Sequence, residues 1–212
     1  MSKIFDIDSK LIVFLTKIGQ LIIINVLWVI CCLPVITVGA ATSAMYYSTV
    51  KTIRKDRSYP AKEFFEAFKR NIGKATVLSS GALILFLLIF VNRKIVTSDI
   101  SLKNDWLEMI YNLLIVILIS VSMYLFPVLS RFRLKLNKII GLSFVMAVRF
   151  LPITIVLTTV TVFVVWLQIV ILPWPCIFVV PAAWCYAASF LIEKALGAYT
   201  PKPAEDEDAW YL

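Results

Sequence analysis

Long uncharged apolar runs alternate along this chain with short segments rich in lysine and arginine. A helix needs roughly 20 consecutive apolar residues to cross a hydrocarbon core of about 30 Å, and most of the runs approach that length. The pattern therefore predicts an all-α, polytopic transmembrane helical bundle, with a single domain over residues 1–200. The predicted spans are 9–33, 40–54, 75–92, 107–130, 150–172 and 176–194.

The first apolar region, from about Leu11 to Tyr47, is too long for one crossing. Pro34 lacks a backbone N–H and disfavours helix just before it, so we expect a hairpin of two helices here. Five hydropathy peaks then correspond to six helices. A single first span remains an alternative. A cleaved signal peptide is another, although its apolar core of about 7–15 residues is shorter than this region. Helix breaks are predicted at Pro34, Gly39, Pro127 and Pro181.

The charged segments between the spans predict the orientation. Residues 51–74 carry eight lysines and arginines against three acids, and residues 131–149 carry five and no acid. Loops with this excess face the cytoplasm. The C-terminus is then inside, the turn LPWP at 172–175 is outside, and the hairpin places the N-terminus inside as well. Residues 201–212 are predicted to form an acidic cytoplasmic tail.

The overall composition agrees with a membrane protein. Apolar residues make up 61% of the 212 positions and charged residues only 16%, whereas a soluble domain has roughly 25% charged residues. The lipid bilayer is therefore the expected surroundings of the chain. The net charge of +8 is also a feature of nucleic-acid binding. Because the excess lies beside apolar spans, we interpret it as membrane orientation and expect no nucleic acid partner.

A basic amphipathic helix is predicted at residues 61–74. At helical spacing, one stripe is mainly aromatic and apolar, and the opposite side carries lysines, arginines and glutamates. Such a helix can lie at the membrane surface, with its phenylalanines in the headgroup boundary. Alternatively, it docks a protein and forms one platform with the basic segment after residue 130. The candidate contacts are Phe64, Phe65, Phe68, Lys69, Arg70, Asn71, Arg131, Arg133 and Lys135.

Residues suited to catalysis are scarce. The chain has no histidine, no Cys-x-x-Cys spacing, no acid deep within a predicted span and no P-loop. We therefore expect no catalytic residue, no metal and no cofactor, and we do not expect an enzyme. Polar groups within spans often mark transport paths, and Asn25, Asn112 and Gln168 are the candidates. Single amides also form ordinary bonds between helices, worth about 0.6 kcal/mol on average.

Three segments resemble the YesL family, a group of bacterial membrane proteins filed as a domain of unknown function. They are CLPVITVGAATSAMYY at 32–47, EFFEAFKRNIGKAT at 63–76 and FPVLSRF at 126–132. The resemblance covers most of the chain, and the matching positions are Pro34, Gly39, Phe65, Phe68, Asn71, Pro127, Arg131 and Phe132. It implies a bacterial cell membrane protein encoded near carbohydrate ABC importers, two-component sensors and glycan-degrading enzymes.

The resulting hypothesis is a non-enzymatic accessory subunit that associates with the permease of a carbohydrate ABC importer and aids sugar uptake or its control. One alternative is a stand-alone transporter or channel for a small solute. Another is a regulator of a membrane sensor kinase.

Overall fold

A computed structural model of the chain describes residues 10–56, 59–98, 105–132, 134–170 and 179–199. These residues form seven α-helices, and the all-α prediction is confirmed for them. The helices are α1 (Lys10–Cys32), α2 (Val38–Ser48), α3 (Pro60–Ser98), α4 (Asp105–Arg131), α5 (Leu136–Arg149), α6 (Leu151–Val170) and α7 (Val180–Gly197). A 3-10 turn at Val35–Thr37 precedes α2, and a π-helical segment at Thr49–Arg54 follows it. The LPWP turn and the predicted tail at 201–212 lie outside the described residues.

Four of these helices are long and apolar enough to cross a membrane: Ile12–Cys32, Pro60–Thr97, Asp105–Arg131 and Leu151–Val170. The predicted spans 40–54 and 176–194 are not among them. The first corresponds to α2, which has only 11 residues, or about 16 Å of helix, and its π-helical extension carries two cations. The second corresponds to α7, which contains Glu193 and Lys194. The structure thus confirms membrane-type helices but not the count of six spans.

The predicted helix breaks have different outcomes. Pro34 separates α1 from α2 as expected, and the Thr37 hydroxyl lies 2.6 Å from the carbonyl oxygen of Cys31 and donates to it. Gly39 and Pro127 do not break helices, because they lie within α2 and α4; proline is tolerated in apolar helices when neighbouring groups satisfy the freed carbonyl. Pro181 occupies the first turn of α7, where a missing N–H costs no helical hydrogen bond.

The predicted interfacial helix at 61–74 is not a separate element. Helix α3 continues without a break from Pro60 to Ser98, over 39 residues, and is therefore about 58 Å long. Residues 61–74 therefore form the first part of a longer helix that is itself among the candidate membrane spans. The structure does not confirm the interfacial helix.

Helix α5 occupies residues that we predicted to be a loop between two spans. Its inner face packs against α4 through Ile139, Ser143 and Met146, which are all fully buried. The chain turns at Phe150, and α6 then runs back along α4. The pairing includes a hydrogen bond between the hydroxyls of Tyr124 and Thr154, whose oxygen atoms lie 3.0 Å apart.

The centre of the bundle is α2, which is buried on nearly every side. Its small residues allow the neighbouring helices to approach closely. Gly39 meets α3 so tightly that a Cβ placed there would lie 2.6 Å from the Cβ of Ser79 and 2.8 Å from the carbonyl oxygen of Ala75. One turn further on, Asn71 of α3 donates from its Nδ2 to the Ser43 hydroxyl at 3.2 Å. Glycine is therefore required at position 39 for close packing rather than for a turn.

Candidate functional site

The predicted contact residues on α3 divide into a buried group and an exposed group. Phe64 and Asn71 are buried, and Phe68 is half-buried and stacks on Phe64 with ring centroids 6.3 Å apart. Phe65, Lys69 and Arg70 remain exposed. The face buried in the bundle does not coincide with the apolar stripe of the sequence. Phe65 and Ile72 face outward, whereas the buried face consists of Glu63, Phe64, Ala67, Asn71, Ala75 and Leu78.

The exposed residues form one basic surface together with the segment before α5. We define this basic surface as Lys62, Phe65, Lys69, Arg70, Lys74 and Lys135, all of them exposed. The Lys74 ammonium donates to the carbonyl oxygen of Leu134 at 3.0 Å, which joins α3 to the start of α5. The Arg70 guanidinium lies over the Tyr47 ring, 4.7 Å from its centroid. The two basic segments of the sequence therefore adjoin. Arg133 lies outside the described residues.

Arg131 does not belong to this surface, contrary to expectation, because it forms a buried ion pair. Its Nη1 lies 2.6 Å from Oε2 of Glu193, and the two side chains are 4% and 8% exposed. The Tyr46 hydroxyl donates to the other carboxylate oxygen, also at 2.6 Å. One carboxylate on α7 therefore connects α4 to α2.

A second buried ion pair joins the π-helical segment to the start of α3. The Nζ of Lys51 lies 2.9 Å from Oε2 of Glu63 and 3.3 Å from the Tyr47 hydroxyl. Lys51 lies outside the four membrane-type helices. Burial by itself lowers the pKa of Lys51, but the hydrogen bonds to Glu63 and Tyr47 outweigh burial, so its pKa is raised. The ammonium therefore remains charged opposite the carboxylate.

The π-helical segment directs a second cation to a different helix. The Arg54 guanidinium donates from Nη1 to the carbonyl oxygen of Ser189 at 2.9 Å, and it lies 4.6 Å from the centroid of the Phe190 ring. In an α-helix, residues three apart share a face. The wider π geometry instead lets Lys51 reach α3 while Arg54 reaches α7. Such segments occur frequently at functional sites.

A cavity of about 340 Å³ lies between α1, α2, α4, α6 and α7. Its lining is almost entirely apolar, and the polar groups in it bond mainly to one another. The Trp28 indole donates to the Thr42 hydroxyl at 3.3 Å, and the Trp184 indole donates to the Thr161 hydroxyl at 3.2 Å. Gln168 also lines the cavity, and its Oε1 is buried with no hydrogen-bond partner in the described part of the chain.

The three intramembrane amides predicted as a transport path do not share a site. Asn25 is fully buried in α1, Asn112 is exposed on α4, and of the three only Gln168 lines the cavity. Hydroxyls instead bond across neighbouring helices, as between Ser120 and Thr158 at 3.1 Å. Within the described ranges, no group of three or more histidines, cysteines or acids could hold a metal ion.

The buried ion pairs were not anticipated as sites. Glu193 lies near the end of an apolar helix that contains no other acid, and Arg131 lies at the end of another helix. An acid and a cation at the ends of two apolar helices, both expected on the same side of the membrane, are the only signal in the sequence. For the pair of Lys51 and Glu63, the sequence contains no signal other than their proximity along the chain.

The fold is that of a multi-helix protein with membrane-type helices, a basic surface and two buried ion pairs. Residues 21–93 match a family model described as "Protein of unknown function, DUF624". The match covers less than half of the chain and comprises most of α1 and α3 and all of α2. It includes the motifs at 32–47 and 63–76 but not the one at 126–132. No curated protein and no solved structure matches the chain.

Proposed function

We propose that this protein is a non-enzymatic accessory subunit of the bacterial cell membrane that docks a larger membrane protein through its basic surface. The first candidate for the partner is the permease of a carbohydrate ABC importer, which follows from the resemblance to the YesL family. In this proposal both basic segments face the cytoplasm, as their excess of cations suggests. The subunit aids sugar uptake or its control.

The observation that carries the proposal is the bond from Lys74 to the carbonyl oxygen of Leu134. It fuses two basic segments that are far apart in the sequence into one exposed surface. Phe65 is 43% exposed within it, so an aromatic side chain lies among four lysines, one arginine and the exposed Glu66. Aromatic residues and arginine are enriched at protein interfaces, whereas lysine is depleted in their cores. We therefore expect Phe65, Lys69 and Arg70 at the centre of the contact, because Lys69 lies between the other two at helical spacing, and the remaining lysines at its rim.

The transporter alternative has less support, because Asn25, Asn112 and Gln168 line no common path among the described residues. The described cavity has an almost wholly apolar lining and offers a hydrated solute few hydrogen bonds. In the other alternative, this protein regulates a sensor kinase and binds it through the same basic surface. The identity of the proteins that co-purify with the chain distinguishes these three possibilities.

The test is to tag the chain in its native host, solubilise the membranes gently and identify by mass spectrometry what co-purifies. We expect a sugar permease and its ATPase in amounts comparable to the tagged chain. Recovery of a sensor kinase would instead indicate that the basic surface binds that kinase, as the regulator hypothesis states. Recovery of the chain alone would contradict the accessory role and favour flux measurements in liposomes.

Charge reversal locates the contact. Lys69→Glu changes an exposed side chain of the basic surface and is expected to reduce the recovered partner by about tenfold, as loss of roughly 1.4 kcal/mol of binding would. The matched control is Lys194→Glu, which makes the same charge change at an exposed position on α7. Equal recovery with both variants would show that the basic surface is not the docking site.

A further inference from the structure

The cavity between α1, α2, α4, α6 and α7 has no part in the proposed docking. Its volume of about 340 Å³ is much larger than a water molecule, and it is partly open to the outside of the bundle rather than an enclosed void. Three of the surrounding helices, α1, α4 and α6, are among those long and apolar enough to cross a membrane. The cavity is therefore bordered by helices of the kind that lipid surrounds.

The chemistry of the lining excludes most polar ligands. Water in a buried site needs two to four polar partners, and the Trp28 and Trp184 indoles already donate to Thr42 and Thr161. The Tyr46 hydroxyl is likewise committed to Glu193. What remains available is aliphatic and aromatic surface, contributed by residues such as Met123, Val164 and Ala188.

The side of α6 offers a way in. Val165 and Ile169 line the cavity, yet they are 52% and 78% exposed on the outer surface of the bundle. The lining is therefore continuous with the apolar exterior of a helix that lipid would surround. A volume at the lower end of the usual range for ligand sites, about 300–1,000 Å³, suits part of a lipid rather than a whole one.

We propose that this cavity binds one hydrocarbon chain of a membrane lipid, which enters beside α6. Gln168 lies next to the entry residues along the helix, and its buried Oε1 has no hydrogen-bond partner among the described residues. Because this oxygen is enclosed by protein atoms, the amide must rotate toward the entry to accept a hydrogen bond from the polar end of the bound lipid. The apolar chain then fills the cavity, whose lining includes Trp28 and Trp184. The site is chemically separate from the basic surface, so either can exist without the other.

The test uses phosphatidylglycerol of defined chain length as the probe. The full chain is reconstituted with this lipid, extracted in mild detergent, and its retained lipid is counted by native mass spectrometry. We expect the wild-type chain to retain one lipid. Ala188→Phe fills the cavity from α7 and should abolish retention, whereas Ala187→Phe adds the same ring on the exposed neighbouring position and should not.

A second matched pair covers the case in which Ala188→Phe does not fold. Val164→Phe fills the cavity from α6, and Val162→Phe places the ring on the exposed face of the same helix. Thermal unfolding identifies the variants that fold. Absence of retained lipid on the wild-type chain would overturn the proposal, and so would equal retention by the cavity-filling and exposed variants. Neither result bears on the recovery of a partner through Lys69.

Discussion

Replacement of Gly39 by alanine tests the closest helix contact in the bundle. The added Cβ would lie 2.6 Å from the Cβ of Ser79, 2.7 Å from its hydroxyl and 2.8 Å from the carbonyl oxygen of Ala75. Carbon atoms pack at about 3.5–4.0 Å, so α2 and α3 must separate by roughly 1 Å. The Ala75 carbonyl belongs to the helix backbone and cannot rotate away. The strain therefore reaches the rest of the α2–α3 contact, including the bond from Asn71 to Ser43.

Two opposing effects set the magnitude. Overpacking of this kind costs about 1–3 kcal/mol, and the backbone contact puts Gly39→Ala near the upper end. Alanine is favoured over glycine inside a helix by about 1 kcal/mol, which offsets part of the cost. We expect a net loss of about 2 kcal/mol in the free energy of unfolding. Equilibrium unfolding in detergent micelles measures it.

The control is Gly81→Ala on α3, where a Cβ would meet nothing within 4 Å. This variant should gain up to about 1 kcal/mol from helix propensity alone. Ser79→Gly in the Gly39→Ala background removes two of the three contacts and should restore part of the lost stability. If Gly39→Ala proves as stable as Gly81→Ala, the close approach of α2 to α3 does not constrain position 39 and the reasoning fails.

The two buried ion pairs give two further predictions, each measured by the same unfolding assay. Glu193→Gln keeps the shape of the side chain but removes the anion opposite Arg131, so the free energy of unfolding should fall by about 3 kcal/mol. The double variant Arg131→Met with Glu193→Leu should recover most of this loss. A Glu193→Gln variant as stable as the wild type would contradict the pairing. Lys51→Met should cost about 3 kcal/mol because Glu63 stays buried without its ammonium, whereas Lys62→Met on the exposed side of α3 should change stability by less than about 0.5 kcal/mol. Equal effects of the two lysine variants would show that the Lys51–Glu63 contact stabilises nothing.

Hydropathy predicted the parts of the fold that depend on local pattern alone. Helices α1, α4 and α6 lie close to their expected bounds, and Pro34 ends α1 because a missing N–H and a steric restriction act within the chain itself. The same logic failed for α5. Its charge excess suggested a loop, yet its apolar residues lie on two opposite faces. One face, with Ile139 and Met146, packs on α4, and the other, with Ile140 and Phe144, remains exposed. A count of charged residues in the segment cannot reveal where the apolar residues lie around a helix.

The candidate site shows a different limit. Periodicity predicted that residues 61–74 are helical, but the face that the structure buries does not coincide with the apolar stripe. The buried face is determined by partners on other elements: Lys51 pairs with Glu63, Ser43 accepts a hydrogen bond from Asn71, and Gly39 allows the close approach of Ala75. A polar residue with a buried partner can occupy the inner face of a helix, and a phenylalanine can face outward where lipid or protein covers it. Neither the inward polar residue nor the outward phenylalanine can be predicted before the neighbouring helix is known.

The ion pair between Arg131 and Glu193 also sets an order of events during synthesis. Its members are 62 positions apart in the chain, so α4 leaves the ribosome well before its anion exists. A solitary arginine at a helix end extends its side chain toward water or headgroups, which keeps the end of α4 near the aqueous boundary. When α7 arrives, Glu193 draws the guanidinium inward and Tyr46 completes the contact. The contact that joins α4, α2 and α7 therefore cannot form until α7 has been synthesised.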